Sequence, residues 1–286
     1  MAKEKEEINR ATGLLVIEVR NSNPNGDPDR ESDPRQRNDN RGEISPVSFK
    51  RKLRDLVEDK EGPVWMGVSK ELKKADERYF ILESRGRDRA EIQKELKNGS
   101  FKDKYWDGRI FGNTFLEEGA STSVKAGVVQ FGLGVSISPV EIERLTNTSK
   151  SGVQEGKDRG MAPMAYRIVK HGIYCMPFFV NPTAAVKTGC TQEDIDLLLN
   201  LIPYAYQHSA SYIRPSVEIR HAWYVEHKSA LGSCSDFALI DALTPKRKEG
   251  FDISKPSASV LEYDMEQKLP DELMKKIKSI MDLIVR

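Results

Sequence analysis

Apolar positions fall into a few clean rhythms separated by long polar stretches. Leu14-Leu15-Val16-Ile17-Glu18-Val19, with Gly13 before it, is a nearly unbroken apolar run. Such a run predicts a strand buried on both faces or at the middle of a sheet. Val129, Phe131, Leu133, Val135 and Ile137 alternate with Gln130, Gly132, Gly134, Ser136 and Ser138. This period of two predicts a half-buried strand ended by Pro139, with a low face that backbone or a ligand can approach. Residues 166–180 are rich in aromatic and β-branched side chains and predict a third strand, with a bulge at His171-Gly172. Residues 216–227 alternate and give a fourth, and residues 260–263 give a short late one.

The helical period appears three times. Phe49, Leu53, Leu56 and Val57 recur at i, i+4, i+7 and i+8, behind Ser45 as N-cap and Pro46 at the first helical position. Thr191 and Asp194 form a capping-box pair ahead of Ile195, Leu198, Leu199 and Ile202, and Pro203 bends or ends that helix. Leu273, Ile277, Ile280 and Ile284 predict a terminal helix from about Pro270. Residues 60–104 mix short helical pieces with charged breaks and read as a peripheral helical insertion.

Two polar stretches interrupt these elements. Arg20-Asn21-Ser22-Asn23-Pro24-Asn25-Gly26-Asp27-Pro28-Asp29 is almost all turn-forming residues. Residues 146–160 have almost nothing to bury and lie between two predicted strands, so they form either an exposed loop or an extended hairpin over about 140–164. The order strand, helix, strand, excursion, strand, helix, strand is the split β-α-β, ferredoxin-like order that the RNA recognition motif also uses. The expected class is α+β, one such sheet-and-helix domain over residues 1–286 with long insertions. The aromatic signature of that motif is missing, so base stacking on the sheet face is not expected.

Composition changes little. The chain has 286 residues, enough for a sizeable core, and a formal net charge of +1, which makes a locally basic helix more informative. Cys175, Cys190 and Cys234 lack paired spacing, so neither a disulfide framework nor a zinc motif is indicated. The charged N-terminus and the absence of a long apolar run predict a soluble, cytoplasmic protein without membrane partners. No cofactor is expected.

Candidate chemistry centres on the first helix. Lys50, Arg51 and Arg54 fall on one contiguous arc, with Lys52 at its far edge. That arc is either a solvated basic face or a phosphate-binding one. Arg109, in Tyr105-Trp106-Asp107-Gly108-Arg109-Ile110-Phe111-Gly112, either pairs with an acid such as Asp107 or meets phosphate and bases. Trp106 and Phe111 read as core anchors.

The run from Asn21 to Asp29 after an apolar strand, followed by Ser48-Phe49-Lys50-Arg51-Lys52-Leu53-Arg54, resembles a CRISPR-associated family. That family is the repeated backbone subunit of type I Cascade complexes, and the closest likeness is to subtype C. Glu226-His227-Lys228-Ser229-Ala230-Leu231-Gly232-Ser233 is similar to a further motif of the family, with Ser233 where Asn is expected. The resemblance implies a non-enzymatic subunit that polymerises along guide RNA (crRNA). Its partners would be copies of itself in a helical filament, other Cascade subunits and a target DNA strand. It implies RNA contacts at Asn21, Asn23, Asn25, Ser48, Lys50, Arg51, Arg54 and Arg109. It also makes the 140–164 excursion a thumb, whose Lys150, Lys157 and Arg159 meet phosphate while Met161 wedges between bases. The competing reading is a metal-dependent RNase built on Asp27, Asp29 and Asp33.

Overall fold

A computed structural model describes residues 7–73, 75–84, 89–112, 126–149 and 162–284. Its main elements are β1 (Ala11–Ser22), β2 (Arg41–Ile44), α1 (Pro46–Glu58), α2 (Pro63–Val68), α3 (Arg89–Asn98), α4 (Trp106–Phe111), β3 (Val129–Phe131), β4 (Gly134–Pro139), β5 (Ile142–Ser149), β6 (Ala162–Val180), α5 (Gln192–Leu201), β7 (Val217–His227), α6 (Asp236–Leu243) and β8 (Ile277–Asp282). The architecture is α+β. Antiparallel pairing gives the sheet order β8-β7-β1-β6-β4-β2, with β3 and β5 also on β6.

β1 occupies the centre because both its faces are apolar. Leu15, Ile17 and Val19 pack under α1, α4 and α5 with Phe49, Leu53, Trp106, Ile195 and Leu198. Leu14 and Val16 pack on the opposite face with Leu239 and Leu243 of α6 and with Tyr263 and Leu269. Sheet area closed on both sides cannot stack bases, in keeping with the missing aromatic signature. α5 has the expected capping box between Thr191 and Asp194.

Several predicted elements differ. The alternating run from Val129 to Ile137 is two strands, broken at Gly132-Leu133. Pro177 of β6 stands opposite and has no N–H to donate, while its carbonyl accepts from Gly132 N–H at 2.8 Å. In β3 the apolar Val129 and Phe131 face inward as expected, but in β4 the phase flips: Gly134, Ser136 and Ser138 are buried while Leu133 before them is exposed. β6 begins at Ala162 and keeps an unbroken register with β1 through His171-Gly172, so no bulge lies there. The irregularity is in the β1–β7 pairing at Val16/Ile17. Residues 260–262 form a single 3-10 turn, with only Tyr263–Asp264 extended.

The expected terminal helix is a one-turn helix, Asp271–Met274, followed by β8. Spacings of three and four place apolar residues on one helical face. Here the open edge of β7 and the β-branched Ile277 and Ile280 favour pairing instead.

Residues 60–104 hold α2, α3 and short turns, with a separate small core of Leu82, Ile92, Phe101 and Tyr105. β5 and the first part of β6 pair from Ile142↔Val169 to Ser149↔Ala162. No helix of the described residues is long and apolar enough to cross a membrane.

Candidate nucleic-acid interface

β1 delivers the chain into the polar loop, and the loop's own groups hold its shape. Asn21 is exposed in the left-handed region at φ 42°. Asn23 is buried: its Nδ2 donates to Ser32 C=O at 2.8 Å, and its N–H to Ile213 C=O at 2.7 Å. Asn25 Oδ1 accepts from the N–H and Oγ of Ser45, both at 2.8 Å, which fixes the entry to α1. Sequence reasoning put all three asparagines on RNA. The structure turns Asn23 and Asn25 inward, because a folded polar loop has to satisfy its own backbone groups: the Asn23 amide donates to a carbonyl and the Asn25 amide oxygen accepts at the entry to α1.

On α1 the basic arc is divided. Arg54 is 4% exposed and donates through Nε to Asp107 at 2.9 Å, with Glu83 at 3.3 Å. Asp107 also accepts from Leu82 N–H at 2.6 Å, so this buried pair builds the junction with the peripheral segment. Arg51 is exposed enough to meet solvent and is shared between Asp55 at 2.7 Å and Glu58 at 3.2 Å. Lys50 is half-buried over the Phe111 ring at 5.2 Å, and burial followed by the nearby Arg54 charge lowers its pKa. Ser48 is half-buried, and its N–H donates to the Ser45 cap at 3.2 Å. Lys52, expected at the far edge of the arc, is 5% exposed over the Tyr206 ring at 5.3 Å.

Arg109 is internal. It is 1% exposed, donates to both carboxylate oxygens of Asp194 at 3.1 and 2.7 Å, and reaches the carbonyls of Lys102, Asp103 and Arg78. The phosphate-contact reading of Arg109 is therefore replaced by a clamp between α5 and the peripheral segment. Its acid is Asp194, since Asp107 is taken by Arg54. Lys150, Lys157, Arg159 and Met161 lie outside the described residues, as does the tip of the expected thumb.

The loop acids do not converge. Asp33 is bridged to Arg167 on β6, Asp27 Oδ1 accepts from Asp29 N–H at 3.2 Å, and Asp29 faces solvent. Among the described residues no group of three His, Cys, Asp or Glu can hold a metal ion. That geometry does not support the metal-dependent RNase reading.

His227 is buried beneath the turn that follows β7. Its Nδ1 accepts from Ser233 N–H at 3.0 Å, which leaves Nε2 as the protonated nitrogen, beside Thr12 Oγ1 at 3.1 Å and Asp236 at 3.3 Å. Burial, opposed by the Asp236 charge, lowers its pKa. Ser233 thus holds the turn where an Asn was expected.

A family model described as CRISPR-associated protein Cas7 matches residues 9–268. The chain belongs to the CRISPR-associated Cas7 family. A relative named CRISPR-associated protein Cas7, from Haloferax volcanii, is 27% identical over 215 residues, which is 67% of this chain and 62% of that protein. The chain thus spans less than two thirds of that relative's length. A solved structure named CRISPR RNA-guided surveillance complex, pre-nicking, is 14% identical with a TM-score of 0.49, over 76% of this chain and 78% of that one. A Type III-B Cmr-beta complex bound to cognate target RNA is 11% identical with a TM-score of 0.43, over 76% and 61%.

Within this Cas7-family chain, sequence reasoning also missed several arginines beside the loop. Arg20 reaches Glu18 at 2.6 Å with half its side chain exposed. Arg144 and Arg167 line a cavity of about 180 Å³ with Asn23, Ser32, Asp33 and Tyr166. Arg214 bonds the Asn23 carbonyl at 2.8 Å. Only Arg20 carried a signal, its place at the end of β1. The others reach the loop through tertiary pairing that no local pattern announces.

Proposed function

We propose that this chain is the guide-RNA-binding backbone subunit of a type I CRISPR surveillance complex. Copies line up along the crRNA and leave stretches of its bases to pair with a target DNA strand. The observation that carries this reading is the family match over residues 9–268, which spans the polar loop, the basic helix and the paired strands β5 and β6. The strand order β7-β1-β6-β4, with α1 and α5 on one face, supports the RNA-recognition-motif-like version of the fold. The long pairing of β5 with β6 supports a thumb over 140–164, on which Lys150, Lys157, Arg159 and Met161 would meet the guide. The loop and helix motifs favour subtype C. Scattered loop acids support a role without catalysis.

Chemically, phosphate contacts give sequence-independent affinity by counterion release, and base pairing reads the sequence. Asn21, Ser48, Lys50 and Arg51 keep solvent access and supply that contact, while Arg54 and Arg109 hold the scaffold that carries them. The test is to purify the chain, extract bound nucleic acid and measure affinity for single-stranded RNA against salt. Co-purifying RNA and a steep fall of affinity with salt, alike for unrelated sequences, are expected. A chain that purifies without RNA and binds none refutes the reading.

A further inference from the structure

Two Asn-Gly pairs stand in the sequence, Asn25-Gly26 and Asn98-Gly99, and the fold treats them differently. In such a pair the second residue has no Cβ to screen its backbone nitrogen, so that nitrogen can reach the amide carbon of the asparagine side chain. Asn98 is the last residue of α3 and is exposed. Its Oδ1 accepts from Ser100 N–H at 3.0 Å and from Ser100 Oγ at 2.7 Å, while its Nδ2 has no hydrogen bond among the described residues. Gly99 follows at φ 80°, and a Cβ there would meet nothing within 4 Å.

Asn25 has the opposite surroundings. It is 5% exposed. Its Oδ1 also accepts from two donors, both of Ser45, but its Nδ2 donates to Gly26 C=O at 2.8 Å. The Asn25 carbonyl accepts from Arg35 N–H at 3.0 Å, and Gly26 pairs with Pro34. The backbone torsions that would bring Gly26 N onto the side-chain carbon are therefore held on both sides. Polarisation of the amide oxygen is common to the two asparagines; enclosure and a bonded amide nitrogen set Asn25 apart.

We propose that Asn98 is a self-modification site, where the folded chain converts its own side-chain amide to a carboxylate. The Gly99 nitrogen, having given its proton to solvent, attacks Asn98 Cγ. A C–N bond forms, and the two Ser100 donors stabilise the negative charge that collects on Oδ1. The Cγ–Nδ2 bond then breaks, and Nδ2 takes a proton from solvent and leaves as ammonia. One water adds to either carbonyl of the five-membered imide and opens it to aspartate or isoaspartate. No electrons are gained or lost, and water is the sole co-reactant. The product sets a carboxylate at the negative end of the α3 dipole. The isoaspartate form also adds a methylene to the main chain between Ile92 and Phe101, two members of the small core of the peripheral segment. Ageing thereby loosens that segment and spares the central sheet. None of this chemistry depends on RNA.

The test keeps the purified full chain in mildly alkaline buffer over days, folded in one sample and unfolded in urea in another, and maps the acid products by peptide mass spectrometry. At Asn98 the folded rate should be about the unfolded rate, since an exposed helix end opens at almost no cost. At Asn25 the folded rate should be at least about a hundredfold below the unfolded rate, because local opening must come first. Asn98→Gln should abolish the acid products at that position and leave Asn25 unchanged. Hydrogen exchange over residues 89–105 should quicken as wild type ages and stay constant in Asn98→Gln; equal behaviour of the two chains overturns the loosening. A folded Asn98 protected as strongly as Asn25, or a folded Asn25 that converts as fast as Asn98, overturns the inference.

Discussion

Burial decides what each cation near the loop can do. Arg109 and Asp194 are both fully enclosed, so removing one leaves the other charged and unpaired. Arg109→Ala is expected to lose about 3–5 kcal/mol, measured by urea unfolding. Arg54→Glu should fail in the same assay, since it would face Asp107 and Glu83, and its loss of RNA binding would say nothing about contact. Lys52 behaves oppositely. Its pKa is lowered from 10.5 to about 8 by burial and then by Arg214, with Asp55 opposing. The folded state thus disfavours the charged form, and stability rises as pH increases from about 8 to 10.5. Lys52→Met should exceed wild type by on the order of 2 kcal/mol at neutral pH, and the gap should close across that window. The helical arc was legible in the sequence. Which of its cations are matched was not, because Asp107, Asp194 and Arg214 are 53, 85 and 191 residues from their partners.

Elements were read well where one pattern had one meaning. β1, α1 and α5 follow from unbroken apolar character, a clear cap and a clean stripe. The terminal stripe had two meanings, and the open edge of β7 chose the strand. Removing residues 277–286 should therefore expose that edge and produce soluble aggregates by size exclusion, beyond any loss of apolar burial. Gly42 marks a second point at element scale. A Cβ there would meet the ring and hydroxyl of buried Tyr174, so Gly42→Ala should lower stability by about 1–3 kcal/mol in thermal melts. Nothing in the local sequence announced that contact, since Tyr174 belongs to β6.

For the molecule as a whole, the resemblance carried by the loop and helix motifs proved a better guide than composition. A net charge of +1, the balance of 45 Lys and Arg against 44 Asp and Glu, gives no hint of the proposed nucleic-acid partner. If copies line up along one strand, the number of chains bound per RNA should rise in steps with RNA length, read by sedimentation. A single copy on every length would contradict the filament.

β6 joins these scales. One continuous strand pairs with β5 over Ala162–Val169 and then with β1 from Val169 to Val180, with no slip in register against β1. It is a lever whose handle lies outside the core and whose fulcrum is the central strand. A displacement of the outer end is expected to travel along this strand to β1 and, one residue beyond its end, to Asn23.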